Sequence, residues 1–169
     1  MENNLDPRLH FVVATAIIHK PRTNPSDSTG QGWQFEYLIA KRAAHEKAYP
    51  DKWTVPGGKL VLTEYQNIPK TTGDAWYNIS DWLVKKEVME EVGVEIGKPK
   101  YLCDLVFVRP DGYPVVTLSY YAGWARGDVK LCKDLSDYAW VTVDEAQKFD
   151  LIDGIWEEIR DVDKILKSN

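Results

Sequence analysis

Two short runs, GGKLVLTE at residues 57–64 and KEVMEEVGV at residues 86–94, carry most of the structural information in this chain. The second run reads as the last turns of a helix, because Gly93 is a good C-terminal stop. Residues spaced i, i+3 and i+4 share one helix face, which brings together the carboxylates of Glu87, Glu90 and Glu91. We expect the helix to bury an adjoining apolar edge formed by Val84, Val88 and Val92.

Three carboxylates on one helix face are electrostatically unfavourable by themselves. Like charges at this spacing destabilise a helix by roughly 0.2–0.5 kcal/mol per pair. A divalent cation would turn the repulsion into attraction, and carboxylate oxygens suit Mg²⁺ or Mn²⁺. The glycine pair points the same way, because a backbone without Cβ atoms can approach a ligand closely. The alternative is a surface helix with a solvated acidic face.

Together the two runs resemble the Nudix box, G-x5-E-x7-R-E-U-x-E-E-x-G-U, in which U is a bulky aliphatic residue. The first run matches G-x5-E with Gly58 and Glu64. The second run matches E-U-x-E-E-x-G-U from Glu87 to Val94. The pattern is long and specific, and it identifies the chain as similar to the Nudix hydrolases.

The chain departs from that pattern at two points. Lys86 stands where the family usually has arginine, so the charge is kept but the bidentate fork that orients a neighbouring carboxylate is lost. Twenty-one residues separate Glu64 from Lys86 where the family has seven, which leaves about fourteen inserted residues, roughly Tyr65 to Asn78. The insert either caps the site and shapes substrate choice or is a packed surface excursion.

The resemblance implies a fold, a reaction and a cofactor. The implied fold is α/β, a mixed β-sheet sandwiched between helices (α/β/α), in one domain over residues 1–169. The implied reaction is Mg²⁺-dependent hydrolysis of a nucleoside diphosphate linked to another moiety, with Mn²⁺ as the alternative metal. The implied metal ligands are three box glutamates and a glycine carbonyl: Glu87, Glu90, Glu91 and Gly57 or Gly58.

The resemblance leaves the general base open. Family members take the base from the box or from a later loop. Glu87 is the candidate from the box. Asp134, about six residues before Trp140, matches an acidic residue that some members carry there, and it is a candidate base or further ligand. It could equally be an ordinary loop aspartate. Glu64 matches the box glutamate that would orient the loop or a metal-bound water.

Four further side chains are candidates for substrate binding. Arg42 ends a predicted strand where the family often has an arginine that contacts phosphate, although a solvated charge is the alternative. Lys59 directly follows the glycine pair. Trp53 could stack on a base, although core packing is the commoner role of tryptophan. Asp153 could read a base edge, or it could be a charge favoured at a helix N-terminus.

The remaining segments predict alternating strands and helices. The β-branched and aromatic runs predict strands at Phe11–His19, Phe35–Arg42, Lys98–Arg109, Pro114–Arg126 and Tyr138–Thr142. Ser80 or Asp81 is the expected N-cap of the box helix. A short helix is expected over Val143–Phe149, and an amphipathic helix from Ile152 to Leu166. Residues 21–32 are expected to be a polar, mobile loop. This order predicts a layered α/β/α domain whose strand at Pro114–Arg126 is central.

Composition limits the class of protein. The 169 residues, 44% of them hydrophobic, are typical of one globular domain. A net charge of −5 argues against general nucleic-acid binding but not against a small nucleotide. Cys103 and Cys132 form no metal motif, so we expect reduced thiols and a cytoplasmic protein. The apolar run at residues 11–18 is too short to span a membrane.

Several functions remain open on these grounds. The compact domain favours cleavage of a nucleoside triphosphate to monophosphate and pyrophosphate, with a nucleotide sugar or ADP-ribose as the alternative substrate. The alternative from another class is a sensor that binds a nucleotide without hydrolysing it. The intact box glutamates favour an enzyme. Exact substrate, pathway and oligomeric state, including a homodimer, are not determined by the sequence.

Overall fold

The computed structural model describes residues 6–22 and 34–168, so most of the predicted loop at residues 21–32 lies outside the described part. Eight strands and four helices follow one another in the order β1 Phe11–Pro21, β2 Phe35–Arg42, β3 Trp53–Thr54, β4 Gly57–Lys59, α1 Leu62–Tyr65, α2 Ile79–Val92, β5 Glu95–Ile96, β6 Lys100–Val108, β7 Pro114–Arg126, β8 Leu135–Val141, α3 Val143–Ala146 and α4 Ile155–Lys167. Each of the predicted strands and helices is present, which confirms the predicted element order.

The strands form a mixed sheet in which β7 is central, as predicted. Strand β1 runs parallel to β7, with Phe11 opposite Val115 and His19 opposite Gly123. Strand β6 runs antiparallel along the other side of β7. Strands β2 and β4 both pair antiparallel with β1, and β3 and β8 pair antiparallel with β2. The sheet therefore combines one parallel pairing with several antiparallel ones.

Helices cover both faces of the sheet, which confirms the α/β/α arrangement. On one face, α2 packs its predicted apolar edge into a buried cluster that includes Val84, Val88 and Val92. On the other face, α4 packs Ile159 and Val162 against a second buried cluster. Burial of one such aliphatic side chain stabilises the fold by roughly 1.5–3 kcal/mol. These two clusters hold α2 and the start of α4 in place beside the sheet.

The start of α2 differs from the prediction. Its N-cap is Asn78, in the left-handed region at φ 55°, and no side chain caps the helix there. Ser80 and Asp81 lie inside the first turn, so the predicted cap was wrong. The hydroxyl of Tyr120 donates to Oγ of Ser80 at 2.8 Å, and this tertiary contact takes the serine side chain away from a capping role. The predicted end at Gly93 is confirmed, with φ 71°.

The observed starts of two other elements, β8 and α4, differ from the predicted ones. Strand β8 begins at Leu135, three residues earlier than predicted, because Leu135 is buried and pairs with Arg42 across a β-bulge. Helix α4 begins at Ile155, after Gly154 adopts φ 89°. Asp153 therefore precedes the helix instead of lying in its first turn.

The inserted residues pack mainly on one another. The ring of Tyr65 meets that of Trp76 edge-on, with centroids 5.2 Å apart. The indole N–H of Trp76 donates to the carbonyl of Ile68 at 2.9 Å. Tyr77 stays exposed. These contacts favour the packed excursion over a cap, while any influence of the insert on substrate choice stays a prediction.

Membrane insertion finds no support in the described helices. Within residues 6–22 and 34–168, none of them has the length and apolar character that crossing a membrane requires. Cys103 and Cys132 are free thiols, as expected.

Candidate active site

A pocket of about 400 Å³ opens on the α4 side of the sheet, and most predicted site residues surround it. Its polar end is formed by Arg42, Gly57, Gly58 and Glu91. Its apolar end is formed by side chains from three strands and from the start of α4: Val13, Leu105, Phe107, Val115 and Ile155. The pocket therefore has a charged end and an apolar slot, a combination suited to a ligand with one ionic and one aromatic part.

The glycine pair brings β4 close to both β1 and α2. Hydrogen bonds from Ala16 to Pro56 and from Leu60 to Val12 place Gly57 at a position whose backbone groups face away from β1. The Gly57 N–H instead donates to Oε2 of Glu91, at 2.9 Å. The same geometry turns the Gly57 carbonyl away from β1, which supports its prediction as a metal ligand.

Glu87 depends on the second glycine for its space. A Cβ at Gly58 would lie 2.1 Å from Oε2 of Glu87, so only glycine leaves room for that carboxylate. Burial raises the pKa of Glu87, and the ammonium group of Lys86 partly opposes this shift. The glycine pair thus positions one box glutamate through a hydrogen bond and the other by leaving space.

Lys86 forms ion pairs with the acidic cluster, in place of the arginine that is usual in the Nudix box. Its Nζ lies 3.1 Å from Glu64, 3.1 Å from Glu87 and 2.7 Å from Glu90. Burial lowers the pKa of Lys86, but the hydrogen bonds that its ammonium donates to these carboxylates outweigh burial and leave the pKa above its ordinary value. A single ammonium therefore orients three glutamates without the bidentate fork of arginine.

Glu91 is the most buried of the box glutamates. Burial raises its pKa to about 7, against the hydrogen bond from Gly57 and the charge of Arg42, which lower the pKa. Glu87 and Asp134 add further negative charge nearby. The carboxylates at the polar end of the pocket therefore outnumber the cationic groups beside them.

The donor chemistry of this end fits a hard divalent cation. Carboxylate oxygens of Glu87, Glu90 and Glu91, with a carbonyl of Gly57 or Gly58, form an all-oxygen set of the kind that Mg²⁺ prefers. The space at Gly58 and the raised pKa values of two of these glutamates agree with such a role.

The three box glutamates do not converge on one point within the described residues. Lys86 draws Glu87 and Glu90 to itself, while Glu91 turns to Gly57. Joint metal binding by these glutamates therefore stays a prediction that requires side-chain rotation.

A different trio does converge beside the pocket. Ligand atoms of His45, Glu46 and Asp134 lie within 4.8 Å of one another. Nε2 of His45 lies 3.2 Å from Oδ1 of Asp134, and the Asp134 carbonyl accepts a hydrogen bond from Ala43 at 2.9 Å. The predicted loop aspartate is thus held by the loop after β2. No sequence pattern pointed to His45 and Glu46, because Asp134, which completes the trio, lies 89 residues beyond His45.

Three of the four predicted substrate contacts line the pocket. Arg42 lies at its polar end, where its Nε donates to the carbonyl of Ala48 at 2.8 Å and its guanidinium pairs with Glu46. Lys59 and the exposed Asp153 also line it.

Trp53 is not among the pocket-lining residues. Its ring packs edge-on against Phe149, with centroids 4.7 Å apart, and it is partly buried against the second buried cluster. The structure therefore places Trp53 in the core, and the stacking alternative has no support from its position.

Solved structures resemble this fold over nearly its whole length, although no protein-family model and no curated protein sequence matches the chain. The Nudix domain of Shewanella oneidensis NrtR, solved with ADP ribose, gives a TM-score of 0.67 at 18% identity, covering 96% of this chain and 94% of that chain. The MutT protein from Methanosarcina mazei Go1 gives 0.64 at 21% identity, with 94% and 96% covered.

A third solved structure, an Ap4A hydrolase from C. elegans in a binary complex, gives a TM-score of 0.63 at 16% identity. It covers 94% of this chain and 99% of that chain. Identities of this size establish the fold and nothing finer. The chain has the Nudix fold.

Proposed function

We propose that the protein is a Nudix hydrolase, a metal-dependent pyrophosphohydrolase that cleaves a phosphoanhydride bond in a small nucleotide-type substrate. One observation carries this proposal. The partly buried Glu91 accepts a hydrogen bond from the Gly57 N–H at the polar end of a pocket whose other end is an apolar slot. A nucleotide has matching parts, because its phosphates are anionic and its base is flat and weakly polar. The solved structures with the same fold are consistent with it.

At the polar end, some residues would bind the cation and others would orient the residues that bind it. Glu87, Glu90 and Glu91, with a carbonyl of Gly57 or Gly58, would hold the cation. When bound, Mg²⁺ or Mn²⁺ neutralises phosphate charge and acts as a Lewis acid. Lys86 and Glu64 keep Glu87 and Glu90 oriented through their ion pairs.

Cationic side chains at the pocket are suited to the substrate phosphates. Arg42 lines the polar end, and the hydrogen bond from its Nε to the Ala48 carbonyl limits its rotation. Lys59 lines the same pocket from the strand that carries the glycines. Both remain candidates for contacts with phosphate oxygens.

Two carboxylates remain candidates for the general base. Glu87 lies in the acidic cluster and is partly shielded by Lys86. Asp134, which like Glu87 lies outside the pocket lining, has its Oδ1 3.2 Å from Nε2 of His45. A general base must come within hydrogen-bond distance of the attacking water. Glu87 would be the base for a water at the acidic cluster, and Asp134 would be the base for a water beside His45.

The substrate class within this reaction is a finer proposal. A nucleoside triphosphate, cleaved to monophosphate and pyrophosphate, is our first choice, and a nucleotide sugar or ADP-ribose is the alternative. The similarity to a Nudix domain solved with ADP ribose supports keeping that alternative. A cytoplasmic location and a homodimer remain expectations from the sequence.

The second candidate function is nucleotide binding without hydrolysis. The observation that favours it is the cluster of ion pairs at Lys86, which ties Glu87 and Glu90 to an ammonium instead of leaving both free for a cation. The presence of every box glutamate favours the enzyme.

The decisive experiment incubates the protein with Mg²⁺ and a panel of nucleoside triphosphates, nucleotide sugars, ADP-ribose and dinucleoside polyphosphates. Products are separated by chromatography. Glu91→Gln tests the box, and Glu95→Gln, an exposed glutamate paired with Arg126, is the matched control. We expect chelator-sensitive cleavage between phosphates that Glu91→Gln abolishes and Glu95→Gln leaves unchanged. Tight nucleotide binding without turnover on any substrate would favour the sensor instead.

A further inference from the structure

The apolar end of the pocket is the part of the sheet that α4 leaves uncovered. Strand register places matching side chains from β1 and β7 in rows on this face, with Val13 beside Thr117 and Thr15 beside Ser119. The next row along, Ile17 beside Tyr121, is buried beneath α4. The boundary between covered and open sheet therefore falls at the row that contains Ser119.

Glu158 lies at this boundary and extends from α4 into the pocket lining. The fully buried hydroxyl of Ser119 donates to Oε2 of Glu158 at 2.5 Å. Among the described residues, Oε1 of Glu158 has no hydrogen-bond partner, and it is not one of the buried unpaired atoms. This oxygen is therefore accessible to solvent, on a residue that lines the pocket.

A half-buried carboxylate with one oxygen open to solvent can accept further hydrogen bonds through that oxygen. Burial raises the pKa of Glu158, and the Ser119 hydroxyl only partly opposes that shift. Among the described residues, Glu158 forms no ion pair. The pocket is also lined by three cationic side chains from outside α4: Arg42, Lys59 and Arg109. A ligand that displaces water from this oxygen must therefore supply the hydrogen-bond donors itself.

We propose that Glu158 is a specificity-determining residue whose carboxylate accepts hydrogen bonds from two adjacent N–H groups on the base of a bound nucleotide, as a guanine-type edge presents. This inference rests on the proposed function, because it places the phosphates at the glutamate end and the base in the apolar slot. Leu105, Phe107 and Val115 would contact the base, while Ser119 holds the carboxylate in position.

The chemistry of the bases makes this a selective arrangement. Guanine offers a ring N–H and an amino group side by side, whereas hypoxanthine keeps the ring N–H and lacks the amino group. A carboxylate can accept from both donors of guanine through its two oxygens. A two-point contact of this type discriminates between bases by about 10- to 100-fold. GTP should therefore be preferred to ITP by that factor in kcat/KM.

The test compares GTP with ITP for the wild-type protein, Glu158→Gln and the control Glu157→Gln at about pH 8 with Mg²⁺. Glu157 is exposed and does not line the pocket, so it receives the same substitution one residue away. In Glu158→Gln the amide N–H₂ would face the guanine amino group. We expect the GTP-to-ITP ratio to fall to about one, with kcat/KM for ITP little changed, and Glu157→Gln to keep the wild-type ratio.

Binding of GMP and IMP, measured by calorimetry on the same proteins, separates this inference from the proposed function. Turnover with no preference for GTP, or with a preference that Glu158→Gln leaves intact, would overturn the role of Glu158 and leave the hydrolase standing. Binding that favours GMP through Glu158 without any turnover would refute the hydrolase and support the base contact. Neither binding nor turnover would overturn both.

Discussion

Substitution of the two neighbouring glycines should separate a catalytic defect from a folding defect. In Gly58→Ala the new Cβ would lie 2.1 Å from Oε2 and 2.2 Å from Cδ of Glu87. Ordinary contacts need about 3.5 Å, so the carboxylate must move by more than about 1 Å. It sits at the end of a flexible side chain and can do so at a cost of about 1 kcal/mol. A displacement of that size in a catalytic group can lower the rate about 100-fold.

Gly57→Ala should act on stability instead. Its Cβ would lie 2.4 Å from the carbonyl oxygen of Ala14 and 2.7 Å from Cα of Thr15. These atoms belong to the backbone of β1 and cannot rotate away, so β4 must separate from β1. We expect a loss of about 1–3 kcal/mol or more in the free energy of unfolding. Gly73→Ala is the matched control, because its Cβ would meet nothing within 4 Å.

Urea unfolding and initial rates of Mg²⁺-dependent hydrolysis measure the two effects separately. The expected pattern is a stable but nearly inactive Gly58→Ala protein, an unstable Gly57→Ala protein and a Gly73→Ala protein that keeps wild-type activity. Full activity in Gly58→Ala would show that the position of Glu87 is not needed for the reaction. Unchanged stability in Gly57→Ala would contradict the close approach of β4 to β1.

Two further predictions concern charged and titrating side chains. Lys86→Met leaves three carboxylates without their ammonium, so the free energy of unfolding should fall by about 1–3 kcal/mol. This loss of stability should be smaller in millimolar Mg²⁺, because the cation would replace the ammonium beside the carboxylates. Equal losses with and without Mg²⁺ in urea titrations would contradict binding of Mg²⁺ by these carboxylates. Burial, followed by the charge of Lys100, lowers the pKa of His19, so the folded state resists its protonation. Stability should therefore be lost as pH falls through about 6.5, the unfolded pKa. His19→Leu should lose less stability than wild type between pH 8 and 5, and parallel curves would refute the assignment.

The local features of this fold were predictable because short-range interactions encode them. The spacing of Val84, Val88 and Val92 predicts the buried edge of α2, and all three side chains are buried. Gly93 ends the helix because a residue without Cβ adopts the left-handed conformation at little cost. The five longer strands were predictable for the same reason, since β-branched runs bounded by turn residues favour extended backbone.

Capping and boundaries were less predictable, because tertiary contacts compete with local ones. Ser80 would suit an N-cap by itself, but the hydroxyl of Tyr120 engages it. Leu135 extends β8 into a segment that is polar by composition, because its side chain is buried against the sheet. Local propensity differs by only about 1 kcal/mol between such alternatives, so one buried contact decides between them.

The residue types of the candidate site follow from the sequence alone, because the box glutamates and glycines stand at diagnostic spacing. Their actual partners depend on the tertiary structure. The Gly57–Glu91 hydrogen bond spans 34 residues, the Ser119–Glu158 bond spans 39, and the His45–Asp134 contact spans 89. Helical periodicity acts over a few residues, whereas these contacts form only after strand pairing and burial bring distant segments together. For that reason the sequence predicts the acidic helix, while only the folded chain decides which carboxylate meets a glycine, a lysine or an open pocket.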